Sequence, residues 1–243
     1  LLAREGLPNR IAAITGTNGK STTTALLGFL LESCGLDVAV GGNLGTPVLA
    51  LPKLAADGIY VIEMSSYQID LTPSLKPDVA VLLNLSPDHI DRHGDMAGYV
   101  AVKRAMLERQ TPDQIAVVGV DDTESAGIYE KLASARGAKI VPVSVGPDPD
   151  LRAKEGGIWV TDGVLRAASI DDGEPLVDLT GARNLVGKHN WQNAGAALAA
   201  SVALGCPAEH AAACLLRFPG LAHRMEDVGN IGGVRFINDS KAT

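Results

Sequence analysis

The chain has 243 residues, 46% hydrophobic and 20% charged, a composition ordinary for a globular protein and long enough for one large α/β domain or two small ones. Its net charge is −7, aromatic residues are only 4%, and no basic run occurs, which argues against a nucleic-acid or anionic-membrane surface. The apolar runs fall well short of a membrane span, and the start LLAREGLPNR lacks the basic beginning and long apolar core of a secretory signal.

In chain order, RIAAIT at 10–15 reads as a short buried strand. A Gly-rich turn follows, then the helix STTTALLGFLLES, closed by Gly35. Next come a strand VAV at 38–40, the turn GGNLGTP, and a short helix near 47–56. IYVIEM at 59–64 and DVAVLLNL at 78–85 are strands, and 95–109 is a helix carrying Lys103 and Arg104. IAVVGV at 115–120 and KIVPVSV at 139–145 are strands flanking a helix near 123–136. These runs are rich in Val and Ile with little alternation, the pattern of strands covered on both faces. The predicted fold class is therefore α/β: a mostly parallel sheet flanked by helices, with a phosphate-binding loop. After Pro149 the texture changes. Asp162-Gly163 between two short apolar runs signals a hairpin, and PLVDL adds a further strand, so 155–180 is read as a small antiparallel patch. An Ala-rich helix from GKHNWQN to Gly205, a second helix from Pro207, a break at Pro219-Gly220 and a closing strand GVRFIND complete the chain. Three unpatterned cysteines, Cys34, Cys206 and Cys214, suggest small buried hydrophobes in a reducing compartment.

The stretch AITGTNGKSTTTA carries the clearest chemistry. A strand enters, Gly16 and Gly19 permit tight turns around Thr17 and Asn18, and a helix opens at Ser21 and Thr22. Backbone N–H groups in such a turn converge on an anion, and the helix N-terminus adds partial positive charge. Lys20 can reach β and γ phosphates, and Ser21 can ligate Mg²⁺. The spacing is the tight T-G-x-x-G-K-S form, because Ile14 stands where the longer motif has its first Gly. Glu63 ends a strand in EMSSYQID, where a parallel sheet places ligands. The loop NLSPDHIDRH packs Asp88, His89, Asp91, Arg92 and His93 together. Read without further context, Lys103 could be an ordinary surface lysine, and Asn190 a helix cap.

With GGNLGTP, DHIDRH, GKHNWQN, LAHR and NDSKAT, this text resembles the Mur ligase family of ATP-dependent amide-forming enzymes, from about residue 10 to 243 and most weakly over 121–180. Tyr67 departs from the family's frequent Phe. The resemblance implies ATP, two Mg²⁺ ions and a CO₂-derived carbamate on Lys103. Ser21 and Glu63 would hold one metal; His89 and carbamylated Lys103 would hold the other. Lys20, Glu63, His89 and Lys103 would be catalytic. Gly16, Thr17, Asn18, Gly19, Lys20, Ser21, Thr22, Asn190, Asn193, Arg224, Asp239 and Lys241 would bind the nucleotide. Asn43, Ser65, Gln68, His89 and Thr243 would meet the other substrates. Within the family, the text at 41–47, 63–68 and 238–243 is like that of members joining D-glutamate to UDP-N-acetylmuramoyl-L-alanine for peptidoglycan precursors.

Residues 1–220 are then expected to be a central ATP-binding domain and 221–243 the start of a truncated C-terminal domain, with the N-terminal UDP-binding domain absent and the fragment alone inactive. A cytoplasmic monomer is expected, touching neither nucleic acid nor membrane. Three other readings stay open: a nucleotide-binding module without ligation, a sister ligase using another amino acid, and a kinase phosphorylating a hydroxyl.

Overall fold

The computed structural model describes residues 6, 8–43, 45–135, 139–168, 170–224 and 226–241. In chain order its elements are β1 (Arg10–Thr15), α1 (Lys20–Ser33), β2 (Val38–Gly42), β3 (Ile59–Glu63), α2 (Ser66–Asp70), β4 (Val79–Leu82), α3 (Ile90–His93), α4 (Met96–Glu108), β5 (Ile115–Gly119) and α5 (Thr123–Ala135). There follow β6 (Ile140–Val145), α6 (Leu151–Gly156), β7 (Ile158–Thr161), β8 (Val164–Ala167), β9 (Pro175–Asp178), α7 (Lys188–Ala203), α8 (Ala208–Leu215), β10 (Glu226–Ile231) and β11 (Val234–Asn238).

The main sheet runs β2-β3-β1-β4-β5-β6-β7-β8-β9. All pairings from β2 to β7 are parallel. Successive side chains of a strand point to opposite faces, and here both faces are covered. Ala12, Ile14, Val61, Val81 and Val117 join Leu26, Leu27, Leu30 and Leu198 on the α1 and α7 side. Ala13, Tyr60, Ile62, Leu82 and Val118 join Met106, Leu107, Ile128 and Leu132 on the α4 and α5 side. That is why these strands read as continuous apolar runs. In α7, eleven of sixteen residues are buried, and its small side chains let it lie against both α1 and the sheet.

The hairpin forms where expected: Asp162 and Gly163 both take positive φ, 50° and 83°, and β7 pairs antiparallel with β8. The small antiparallel patch is there, as β7, β8 and β9. Because β7 pairs parallel with β6, it extends the same sheet to its edge. The helix expected over 47–56 is reduced to one 3₁₀ turn, Val48–Ala50. Pro52 explains this, since it drives the preceding Leu51 into extended conformation at ψ 144°. The strand at 233–239 is present as β11, paired with β10 in a separate two-stranded sheet. Among the described residues, no helix is long and apolar enough to cross a membrane.

Candidate active site

The C-terminal ends of β1, β3 and β4 meet at one rim of the sheet, and the connections leaving them build the site. After β1 the chain turns through Gly16–Gly19 into α1. Gly19 takes φ 83°, and a Cβ there would come 2.2 Å from Asn193 Oδ1, so only glycine fits. The first N–H groups of α1 have no carbonyl partner within the helix; the first ladder bond runs from Thr23 N to Gly19 O at 2.9 Å. The α1 N-terminus thus presents a row of donors to an anion.

Two lysines share the loop. Lys20 Nζ donates to Gly16 O at 3.0 Å and Thr17 O at 2.6 Å. Lys103 Nζ, reaching in from α4, donates to the same Gly16 O at 2.9 Å and to Thr15 Oγ1 at 3.1 Å. Lys103 is no surface lysine, being 1% exposed with its amine 4.9 Å from the Tyr99 ring centre. Burial, with Lys20 beside it, pushes its pKa down from 10.5 to about 7, against the opposing pull of Asp88 and Glu63. Burial also lowers the Lys20 pKa, with Glu63 and Asp88 opposing.

Glu63, at the end of β3, is 2% exposed. Its Oε1 accepts from Asn43 Nδ2 at 2.9 Å, while its buried Oε2 has no hydrogen-bond partner. A buried carboxylate oxygen without a donor fits a cation. Ser21 Oγ, on the same rim, accepts from Arg224 Nη2 at 3.4 Å, which brings the tail of the chain onto the loop.

The segment after β4 closes the other wall. Thr17 Oγ1 accepts from Ser86 N at 3.0 Å and meets the Tyr99 hydroxyl at 3.0 Å. His89 takes φ 50°, lies with Nε2 3.4 Å from Asp88 Oδ2, and sets its ring edge against Tyr67. His93 is structural, bonding Ser66 Oγ at 3.0 Å between Tyr67 and Tyr99. Arg92 pairs with Asp70. Ser65 and Gln68 form a reciprocal capping box at the start of α2, so both side chains are held in place as they face the cleft.

Three cavities converge on the loop, and Asn18 lines them all. One, of about 750 Å³, is bordered by Lys20, Asn43, Ser65, Gln68, His89 and Lys103. A second, of about 430 Å³, is bordered by Gly19, Thr22, Asn190, Asn193, Arg224 and Asp239. A third, of about 420 Å³, is bordered by Ser21, Asn43, Glu63, Arg224 and Lys241. So the residues singled out from sequence gather around one loop, apart from Thr243, which lies outside the described residues. Gly16 takes part through its carbonyl. Sequence reasoning passed over Tyr99, Asn184, His189 and Phe218 as site residues, although the second cavity borders on the last three. His189, inside GKHNWQN, was the one with a visible signal.

The model of the Mur ligase middle domain matches residues 14–201. The chain belongs to the Mur ligase family. Among curated Mur ligase relatives, UDP-N-acetylmuramoylalanine--D-glutamate ligase of Caulobacter sp. (strain K31) is 52% identical over 234 residues, covering 96% of this chain and 49% of that protein. The protein of the same name from Paramagnetospirillum magneticum is 50% identical, covering 100% of this chain and 51% of that protein. The chain thus spans about half the length of the curated relatives it matches. Among solved Mur ligase structures, a UDP-N-acetylmuramoyl-L-alanyl-D-glutamate--2,6-diaminopimelate ligase superposes with a TM-score of 0.72 at 22% identity, covering 92% of this chain and 49% of that one. MurF from Acinetobacter baumannii gives 0.70 at 23% identity, covering 97% and 51%. These two establish the fold.

No three His, Cys, Asp or Glu side chains converge as a ready-made metal cage among the described residues of this Mur ligase chain. Two oxygen-bearing side chains, Glu63 and Ser21, border one cavity, and two nitrogen-bearing ones, His89 and Lys103, border another. The oxygens of Glu63 and Ser21 are of the kind Mg²⁺ takes, alongside water and phosphate oxygens.

Proposed function

We propose that the chain is the ATP-handling core of a ligase that joins D-glutamate to UDP-N-acetylmuramoyl-L-alanine in peptidoglycan precursor synthesis. Residues 1–220 form its central domain, and 221–243 begin the next. The observation that carries this reading is the pair of lysines on one loop carbonyl, one of them buried with its pKa brought down to about 7. A nucleotide switch or a kinase needs the first lysine and has no use for the second. The choice of D-glutamate rests on the names of relatives about half identical to this chain.

A free carboxylate is a poor acyl donor, because its charge repels nucleophiles and its leaving group would be oxide. In the proposed reaction a carboxylate oxygen attacks the γ-phosphorus, the bond to the β-phosphate bridging oxygen breaks, and ADP leaves with that electron pair. The resulting acyl phosphate is attacked by the amine of D-glutamate. The nitrogen loses its proton, inorganic phosphate departs, and an amide remains. Protein catalysis of such a transfer is positioning and charge neutralisation. Lys20 and the N–H groups at the start of α1 hold the β and γ phosphates. Asn190, Asn193 and Asp239 line the cavity suited to the nucleoside, and Arg224, which borders it and bonds Ser21 Oγ, would meet the phosphates. Asn43, Ser65 and Gln68 line the cavity suited to the muramoyl substrate.

Bound Mg²⁺ would neutralise phosphate charge. Ser21 and Glu63 are its first candidate holders, with His89 and a carbamylated Lys103 for a second ion. Carbamylation needs a neutral amine, which the depressed pKa of Lys103 provides near pH 7. It turns a cation into an oxygen donor for a hard metal. A cytoplasmic monomer acting on soluble nucleotide-linked precursors agrees with this chemistry.

The test follows phosphate release from ATP by a protein carrying these residues at the full length of its relatives, given UDP-N-acetylmuramoyl-L-alanine and a panel of amino acids. Release that depends on D-glutamate is expected. Release with another amino acid would overturn the choice of substrate and keep the ligase. Mg·ATP binding without release would favour a binding module. Residues 1–243 alone are expected to bind nucleotide without making amide.

A further inference from the structure

Beside the phosphate-binding loop, outside the set of side chains assigned to ATP, two amides, half-buried Asn84 and buried Gln192, lead to an exposed carboxylate. Asn84 follows β4 and grips the loop on three atoms. Its carbonyl accepts from Thr17 N at 2.8 Å, its Oδ1 accepts from Asn18 N at 2.9 Å, and its Nδ2 donates to Asn18 O at 3.2 Å. The same Nδ2 reaches Gln192 Oε1, near the start of α7, at 3.4 Å. Gln192 Nε2 donates to Asp121 Oδ2 at 2.9 Å. Asp121, just past β5, is itself fixed by Ser144 Oγ at 2.6 Å and by Val145 N at 3.0 and 3.1 Å. Gly119 leaves room for the crossing: a Cβ there would lie 2.0 Å from Leu83 O and 3.0 Å from Gln192 Nε2.

We propose that Asp121, Gln192 and Asn84 are positioning residues that set the phosphate-binding loop for a β-phosphate. The argument is one of amide orientation. An amide side chain can be turned end for end, exchanging donor for acceptor. Asp121 accepts only, so it forces Gln192 to turn its NH₂ toward β5 and its oxygen toward Asn84. That oxygen, with Asn18 O, forces Asn84 to direct its NH₂ at those two acceptors and its Oδ1 at Asn18 N. The Asn18 N–H is thereby consumed, the Thr17 N–H is taken by the Asn84 main-chain carbonyl, and the loop is anchored on its entering side. The donors left for an anion are those from Gly19 onward, at the start of α1. Asn84 borders the cavity suited to the nucleoside, whereas Gln192 and Asp121 line none of the three cavities and act on the loop only through Asn84. Their effect is confined to the part of a ligand that sits in the loop.

This inference rests on the reading that the loop holds nucleotide phosphate, and its test separates the two. Binding of Mg·ADP and of AMP to the chain is measured by calorimetry for the wild type, Gln192→Met and Asp121→Asn. The wild type is expected to prefer ADP, because only ADP carries a β-phosphate. Gln192→Met keeps the length of the side chain and removes both hydrogen bonds. It is expected to weaken ADP roughly five- to tenfold and AMP less than about twofold, the scale of one or two net hydrogen bonds. Asp121→Asn is isosteric, lies outside the loop, and lets the amides turn; it is expected to weaken ADP alone, about threefold. Equal losses for ADP and AMP, or an unchanged ADP affinity in either variant, would overturn the relay. A wild type with no preference for ADP over AMP would overturn the phosphate-loop reading, and the relay with it.

Discussion

Replacing Lys103 with methionine puts the electrostatics of the buried amine to a quantitative test. In the folded chain its pKa falls from 10.5 to about 7, chiefly through burial, with Lys20 adding repulsion. A base whose folded pKa is depressed binds fewer protons folded than unfolded between those two values, so stability rises with pH across that window. Below pH 7 the amine is protonated in both states, and the full desolvation penalty, at most about 5 kcal/mol, is present. Lys103→Met removes the penalty together with two hydrogen bonds, to Thr15 Oγ1 and Gly16 O, each worth about 1 kcal/mol. The variant is therefore expected to be more stable than wild type at pH 6 by roughly 2–3 kcal/mol. That advantage should shrink by about 2 kcal/mol between pH 7 and pH 9, as the wild type alone gains. The assay is urea unfolding in CO₂-free buffer at several pH values, taking the difference between the two proteins so that shared titrations cancel. Adding bicarbonate at pH 8 should stabilise the wild type only, through the carbamate. A difference that stays flat from pH 6 to 9 would refute the buried-amine reasoning.

Two further changes probe the same rim. Glu63→Gln should keep the bond from Asn43 yet remove the charge behind the unpartnered Oε2, so EDTA should weaken ADP binding strongly in wild type and barely in the variant; an undiminished Mg²⁺ effect would exclude Glu63 as a metal holder. Gly19→Ala should destabilise the chain by roughly 1–3 kcal/mol, from left-handed backbone and a Cβ thrust at Asn193, and ADP affinity should fall with it; urea unfolding alongside calorimetry checks both, and a neutral substitution would mean that the loop tolerates another backbone path.

The parallel sheet was legible because its strands are covered on both faces, so RIAAIT, IYVIE and VAVL read as unbroken apolar runs. The phosphate loop was legible because strand, turn, Lys20 and helix follow one another within a dozen residues. The short helices α2, α3 and α6 were not, since four to six residues are too few to show a period, and their evidence lies in caps such as Ser65–Gln68. Strand β10 was missed because EDVGNI has no apolar run and stands exposed on one hairpin. The burial of Lys103 was invisible for a different reason. Its partners, Thr15 and Gly16, are nearly ninety positions away, and no local pattern announces such a meeting. Asp121, Gln192 and Asn84 are scattered in the same way, and each alone looks like an ordinary solvated side chain.

The meeting point of the two lysines has a consequence for how the site tolerates change. Their common acceptor is the oxygen of Gly16, a main-chain atom that every residue type possesses. Mutational drift cannot delete it, and a scan by side-chain replacement passes over it without a signal. What drift can do is shift the peptide plane, from Leu83 on one side or Asn18 on the other. The inheritance of this contact is thus spread over the neighbours that aim the carbonyl, and an alanine scan would credit them with a role that belongs to the backbone.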